Sequence, residues 1–453
     1  MAVALAASAC APGTRQVALV VTHGTVVTMD ASRRVIADGA VAIDGADIVA
    51  VDTAEAILRQ FRGRDTIDAT GQVVLPGLIN THGHVAMVLF RGLADDLALM
   101  EWLTKYIFPA EAKTVSREFV RAGTRLAALE MIQSGTTTFA DMYYFEEEVA
   151  KETKAAGLRG VLGQTVIQFP VADAKTPADG LARAEAFIKE FKGDALITPA
   201  VAPHAMYTLD GPTLTAARAL SVKYGVPTLI HLSETRDEQK TAQERGAASP
   251  TAYLDGLGFL GPGVLIAHGV WVSDADIAFL EMRGVGVSHN PESNMKLASG
   301  TAPVPAYLKA GVAVGLGTDG AASNNDLDMF EAMRMASLLH KLQSNDSRAV
   351  PAATALEMAT IGGARAMGMD RQVGSLEPGK RADLIIVGMN TARQTPMYDP
   401  ISHLVYVTRG DDVQTTIVSG KVLMRDRKVL TLDEAAVLRD ARGWAAKVLA
   451  AVK

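Results

Sequence analysis

Two histidines one residue apart, His82 and His84 in the stretch LPGLINTHGHVAM, follow an apolar run and a Pro-Gly pair. Alternate side chains of an extended strand face the same side, so both imidazoles can point at one ion, and Gly83 keeps the gap between them uncrowded. Further apolar runs end in groups that bind metal or move protons: His204, His231, His268, His289 and Asp319. Six of the nine histidines thus stand at the ends of such runs. His23, His340 and His403 lie elsewhere and read as solvated or hydrogen-bonded side chains. The single cysteine, Cys10, excludes an intrachain disulfide framework and any multi-thiolate metal site. A bound metal is therefore held by imidazole and carboxylate. Three imidazoles with one carboxylate suit Zn²⁺ or Fe²⁺ and are too nitrogen-rich for Mg²⁺ or Ca²⁺. Such an ion makes hydroxide available near neutral pH. The fourth run, APHAMYT, supplies no lysine that could be carbamylated into a bridging ligand, which favours one metal over two.

These side chains need a scaffold that brings strand ends together. Starting from QVVLPGLINTHGH, eight β-like runs alternate with polar loops and helix-compatible segments such as SREFVRAGTRLAALEMIQSG. That alternation favours a (β/α)₈ barrel over an open doubly wound sheet, with the C-terminal strand ends converging on one mouth. The barrel is expected over residues 76–374. Residues 17–75 read mainly as short strands, with turns expected at Asp38-Gly39 and Asp44-Gly45. The same texture returns over residues 375–430, turning at Ser419-Gly420, so both chain ends are expected in one small β domain. A helix is expected over 431–453.

The 453 residues carry 44 Lys plus Arg against 50 Asp plus Glu, a net charge of −6, which leaves no electrostatic footprint for nucleic acid. Hydrophobic residues at 49% and charged residues at 21% are ordinary for a folded protein. Residues 1–16 form an apolar leader without a positive start, which fits a cytoplasmic protein better than an exported one, with an export-signal remnant as the alternative. No later run approaches the roughly 18 apolar residues of a membrane span. The expected partner is a small-molecule substrate, and the expected assembly a homo-oligomer.

The motifs PGLINTHGH, IHLSET, SHNPESNMKL and GTDGAASNN, in that order and spacing, resemble the amidohydrolase superfamily, in the branch of the methylthioadenosine/S-adenosylhomocysteine deaminases and triazine hydrolases (ATZ/TRZ). The resemblance runs from about Val17 to Lys428. It implies a TIM-like barrel beside a small β-sandwich, with one divalent metal, zinc before iron, on His82, His84, His231 and Asp319. His268 would lie close to the water, and Glu234, three residues after His231, would shuttle protons. Asp319 and His268 can orient and deprotonate the water. The resemblance further assigns Glu101, in the segment MEWL, and His204 to the ribose, while Gln164 stands where relatives accepting the longer substrate carry an arginine. His289 and Asn290 share the family pattern without an assigned step. The implied reaction is hydrolytic deamination of adenosine, 5′-methylthioadenosine or S-adenosylhomocysteine to the inosine-type product and ammonia. The alternatives are a hydrolase of the same branch acting on a triazine, guanine or pterin, and, more remotely, a non-catalytic interaction protein on the same fold.

Overall fold

The computed structural model describes residues 13–452. Eight parallel strands form one sheet in sequential order: β1 Leu78–Asn80, β2 Thr136–Tyr143, β3 Arg159–Val166, β4 Ile197–Pro203, β5 Thr228–Leu232, β6 Val264–His268, β7 Gly286–His289 and β8 Val314–Leu316. The sheet curls back on itself: Thr81 N–H donates to the Leu316 carbonyl at 2.8 Å and Asp319 N–H to the His82 carbonyl at 2.9 Å. Every residue of β2 and β3 is buried, as expected of strands covered on both faces. Helices return the chain between strands and are capped by their own sequence. The one over Arg117–Ser134 begins at Ser116, whose hydroxyl accepts from Phe119 N–H, and ends at Gly135 with φ 87°.

The chain ends build a second, mixed sheet of nine strands. Leu384–Gly388 pairs antiparallel with Gln72–Pro76, which in turn runs parallel to Arg15–Val27. The distant β segments therefore share one sheet, and hairpins turn after Asp44 and at Ser419-Gly420. Asp38-Gly39 is not a turn: it lies inside the strand Val35–Asp44. Gly39 serves a close approach, since a Cβ there would sit 2.5 Å from a Val26 methyl. The first expected barrel run divides as well, with Gln72–Pro76 in the end sheet and only Leu78–Asn80 in the barrel. The division falls at Gly77, where a Cβ would meet the Thr137 hydroxyl at 2.1 Å.

Barrel and end sheet are joined by a buried ion pair. Arg159, at the start of β3, donates to both oxygens of Asp383 (2.9 and 3.2 Å) and to the Ser419 hydroxyl (2.7 Å). The last helix, Glu434–Val452, sets Trp444 edge-on against Phe119 of the barrel at 5.5 Å. The expected leader lies outside the described residues as far as residue 12, and Arg15 and Gln16 already belong to the first strand. Among the described residues no helix is long and apolar enough to cross a membrane.

Candidate active site

The C-terminal ends of β1, β5, β6 and β8 deliver four imidazoles and one carboxylate to a single point. Nε2 of His82 and of His84 lie 3.4 and 3.3 Å from Asp319 Oδ1, and His231 Nε2 lies 3.3 Å from His84 Nε2. His268 Nε2 stands 4.0 Å from Asp319 Oδ2. Nitrogens of His82, His231 and His268 fall within 4.8 Å of one another, as do ligand atoms of His82, His84 and Asp319. The outer nitrogens are spoken for: Nδ1 donates to the Met142 carbonyl from His84 (2.7 Å), to the His204 carbonyl from His231 (2.8 Å) and to Asn294 Oδ1 from His268 (2.8 Å). Fixing the proton on Nδ1 turns each Nε2 lone pair inward, the arrangement metal-ligating histidines use. Burial pushes His82 down to about 4 and His231 well below the ordinary range, so both rings are neutral donors. His82 Nε2 is buried without a hydrogen-bond partner, which fits a ligand atom facing a cation. Burial opposes ionisation of Asp319, yet the contacts of His82 and His84 hold it well below the usual carboxylate range. Its Oδ2 also accepts from Ser293 (2.7 Å) and Ser323 (3.1 Å).

Strain marks the same strand ends. Ser233, His268 and Asp319 all have left-handed backbones, φ 54°, 74° and 62°, a conformation non-glycine residues keep only where the surroundings impose it. Glu234, carried out by the turn at Ser233, is 3% exposed and places Oε2 3.8 Å from His268 Nε2. Burial raises its carboxyl above the ordinary range, which favours its protonated form. Beyond it opens a cavity walled by Leu99, Trp102, Leu103, Ile107, Phe108 and Tyr143. Among the polar groups of the lining are His204, which burial pushes down to about 3, and Glu111, 7% exposed, which accepts from the Tyr143 hydroxyl at 2.7 Å and is raised by burial to about 7.

A family model described as the amidohydrolase family matches residues 73–423. The chain belongs to the amidohydrolase family. This amidohydrolase is 48% identical over 430 residues to a 5-methylthioadenosine/S-adenosylhomocysteine deaminase of Syntrophobacter fumaroxidans, covering 95% of the chain and 98% of the relative. It is 46% identical over 437 residues to a 5′-deoxyadenosine deaminase of Methanosarcina mazei, covering 96% and 99%. A crystal structure of an adenosine deaminase from Xanthomonas campestris with bound zinc superposes with a TM-score of 0.95 at 37% identity, covering 96% and 100%.

Of the site residues expected from sequence, the amidohydrolase brings together His82, His84, His204, His231, Glu234, His268 and Asp319. It does not bring in Glu101, which is exposed and pairs with Lys105 at 2.9 Å. The chain runs as a π-helical turn over Trp102–Ile107, which puts Trp102 and Leu103 on the cavity side and Glu101 on the solvent side. The buried carboxylate of this segment is Glu111, ten residues on. Its signal was present in the sequence as an acid four residues after Ile107 on an apolar stripe. Gln164 is also away from the cavity. Its amide donates to Asp173 Oδ2 (2.9 Å) and to the Thr165 carbonyl (3.2 Å), while the next residue, Thr165, lines the wall. His289 is buried against His340, Nε2 to Nε2 at 3.1 Å, and does not line the cavity.

Proposed function

We propose that this amidohydrolase deaminates an adenosine-like nucleoside by hydrolysis, with one zinc ion held by His82, His84, His231 and Asp319. The observation that carries the reading is that His231, Asp319, Glu234 and Glu111, all buried, line one largely apolar cavity. When bound, the ion makes a nucleophilic hydroxide available near neutral pH. Asp319 and His268 orient the attacking water and take its proton. Glu234 gives a proton to the ring nitrogen beside the amino-bearing carbon and relays to the departing amine the proton taken from the water; the proton of the new hydroxyl then restores Glu234, so that a C–O bond forms, the C–N bond breaks and ammonia leaves. Glu111 accepts hydrogen bonds from the vicinal hydroxyls of the ribose, and the neutral His204 faces the sugar beside it. On this reading the catalytic unit is residues 77–374, and residues 15–76 with 375–430 form the supporting domain.

The cavity wall also bears on the 5′ end of the substrate. Among the described residues no lysine or arginine lines the cavity at the metal cluster; Arg245 lines the adjoining cavity, which shares Leu103, Phe108 and Tyr207. A buried carboxylate needs a cationic partner. The lining beside the cluster thus favours adenosine, 5′-deoxyadenosine and 5′-methylthioadenosine over S-adenosylhomocysteine, whose carboxylate has to reach Arg245 for a partner. The test is ammonia release from these four compounds, guanine and a triazine. Turnover restricted to guanine or the triazine would overturn the reading. A clear preference for S-adenosylhomocysteine would overturn the assignment of the 5′ end.

A further inference from the structure

The turn that carries Glu234 is held by a second carboxylate, which takes no part in the steps above. Glu238 stands in the first turn of the helix Asp237–Glu244, 2% exposed and outside the lining of the cavity. Its Oε2 accepts from Ser233 N–H at 3.0 Å, and its Oε1 from Glu234 N–H at 2.6 Å and Thr235 N–H at 3.5 Å. Three successive amides directed at one carboxylate form a concave anion nest. Without the carboxylate the buried amides of Ser233 and Glu234 lose the acceptor they use here. The turn needs such a hold because Ser233 is a non-glycine residue at φ 54°.

The opposite side of the turn is held too. The Ser233 carbonyl accepts from Val270 N–H at 2.9 Å and Trp271 N–H at 2.8 Å. The Trp271 indole donates to the Ser299 carbonyl at 2.7 Å, and the Ser299 hydroxyl donates to Glu234 Oε1 at 3.4 Å. Gln239, the neighbour of Glu238, donates to the Trp271 carbonyl at 2.7 Å. Glu234 is thus fixed at its backbone by Glu238 and at its carboxylate by Ser299.

We propose that Glu238 is a positioning residue for the deamination: it fixes the backbone of Glu234 so that the Glu234 carboxylate stays beside His268, where the proton is delivered. The proposal rests on the reading of Glu234 as the proton carrier. An E238Q side chain keeps one acceptor oxygen and turns an NH₂ toward amides that need an acceptor, so the turn loosens while the metal cluster is untouched. The experiment compares wild type and E238Q, both loaded with zinc, for kcat and KM on the best nucleoside, zinc content, and amide hydrogen exchange over residues 231–240. The expected result is a kcat at least about tenfold lower, a KM within about threefold, unchanged zinc, and exchange at residues 233–235 at least about tenfold faster while β6 and β7 are unaffected. In an E234Q background, E238Q adds no further loss, because it acts only through the group already removed. Unchanged exchange, or additive losses in the double variant, would overturn the proposal. If wild type releases no ammonia from any nucleoside, the deaminase reading fails, and the exchange measurement still decides whether Glu238 holds the turn. Should E238Q not fold, E238D keeps the charge on a shorter arm and carries the same readouts.

Discussion

Glu111→Gln and Glu101→Gln together test how the substrate's sugar is held. The first substitution preserves the shape of a buried side chain, and its amide oxygen can still accept the Tyr143 hydroxyl that Glu111 accepts at 2.7 Å. The charge is lost. A hydrogen bond to a charged acceptor contributes about 1.5–3 kcal/mol and a neutral one about 0.5–1.5 kcal/mol, so each of two ribose hydroxyls loses about 1–1.5 kcal/mol. The sum, about 2–3 kcal/mol, corresponds to a fall of roughly 30- to 150-fold in kcat/KM for a nucleoside. Adenine, which has no sugar, should change by no more than about twofold if it is turned over. Glu101 is exposed and its one ion pair is an i,i+4 contact with Lys105 on the same turn. Such pairs contribute only about 0.3–0.5 kcal/mol to local helix stability, so Glu101→Gln should leave kcat/KM unchanged. The assay is initial-rate ammonia release with adenosine and 5′-methylthioadenosine over a range of concentrations. A larger loss in Glu101→Gln than in Glu111→Gln would refute the assignment, as would equal losses on nucleoside and free base.

His82→Ala and Asp319→Ala should each abolish zinc binding and turnover, checked by metal analysis of the purified variants; full activity in metal-free protein would contradict the assigned ligands. Glu234→Gln keeps the side-chain shape and should retain zinc while turnover falls at least about a hundredfold. Asp383→Ala leaves Arg159 buried without its partner and should cost about 3–5 kcal/mol in urea denaturation, part of which Arg159→Met in the same chain should restore. Burial would raise Glu148, but the contacts of Arg121, Lys151 and Arg117 outweigh it and hold the carboxyl at about 2. A depressed carboxyl contributes stability above its unfolded value and loses it as pH falls toward the folded one. Wild type should therefore lose more stability than Glu148→Gln between roughly pH 5 and pH 2, measured as urea midpoints; parallel curves would count against it.

The metal cluster was legible because its information is local: a His-x-His pair on an extended strand, and chemical groups closing successive apolar runs. The boundary inside QVVLPGLINTHGH was not, because strands buried on both faces are apolar on either side of Gly77, and only the approach of Thr137 separates them. Gln164 is expected near the substrate only from its place in the resemblance; strand alternation decides otherwise, since on β3 it is Thr165 that faces the cavity and Gln164 turns to Asp173. Glu101 is expected at the sugar only through the resemblance of MEWL; the structure places it on the solvent side, paired with Lys105, just before the π-helical turn Trp102–Ile107, a turn that has no signature in an α-helical period. The anion nest at Ser233–Thr235 was invisible for a different reason. A glutamate in the first turn of a helix reads as an ordinary favourable charge, and nothing in the sequence says that its side chain turns back toward the strand.

The pairing of Gln72–Pro76 with Leu384–Gly388 has a consequence for biosynthesis. Roughly 300 residues separate the two strands, and at a translation rate of about 5–20 residues per second the first waits roughly 15–60 s for its partner. During that interval Gln72–Pro76, an apolar strand, presents an open edge while the barrel forms behind it. An open apolar edge is a template for pairing with another chain. A nascent chain halted before Leu384 should therefore aggregate through its amino-terminal sheet even with the barrel residues already made, and a trigger-type or Hsp70-type holdase should suppress this. Supplying residues 384–429 as a separate polypeptide should close the edge and keep the truncated chain in solution.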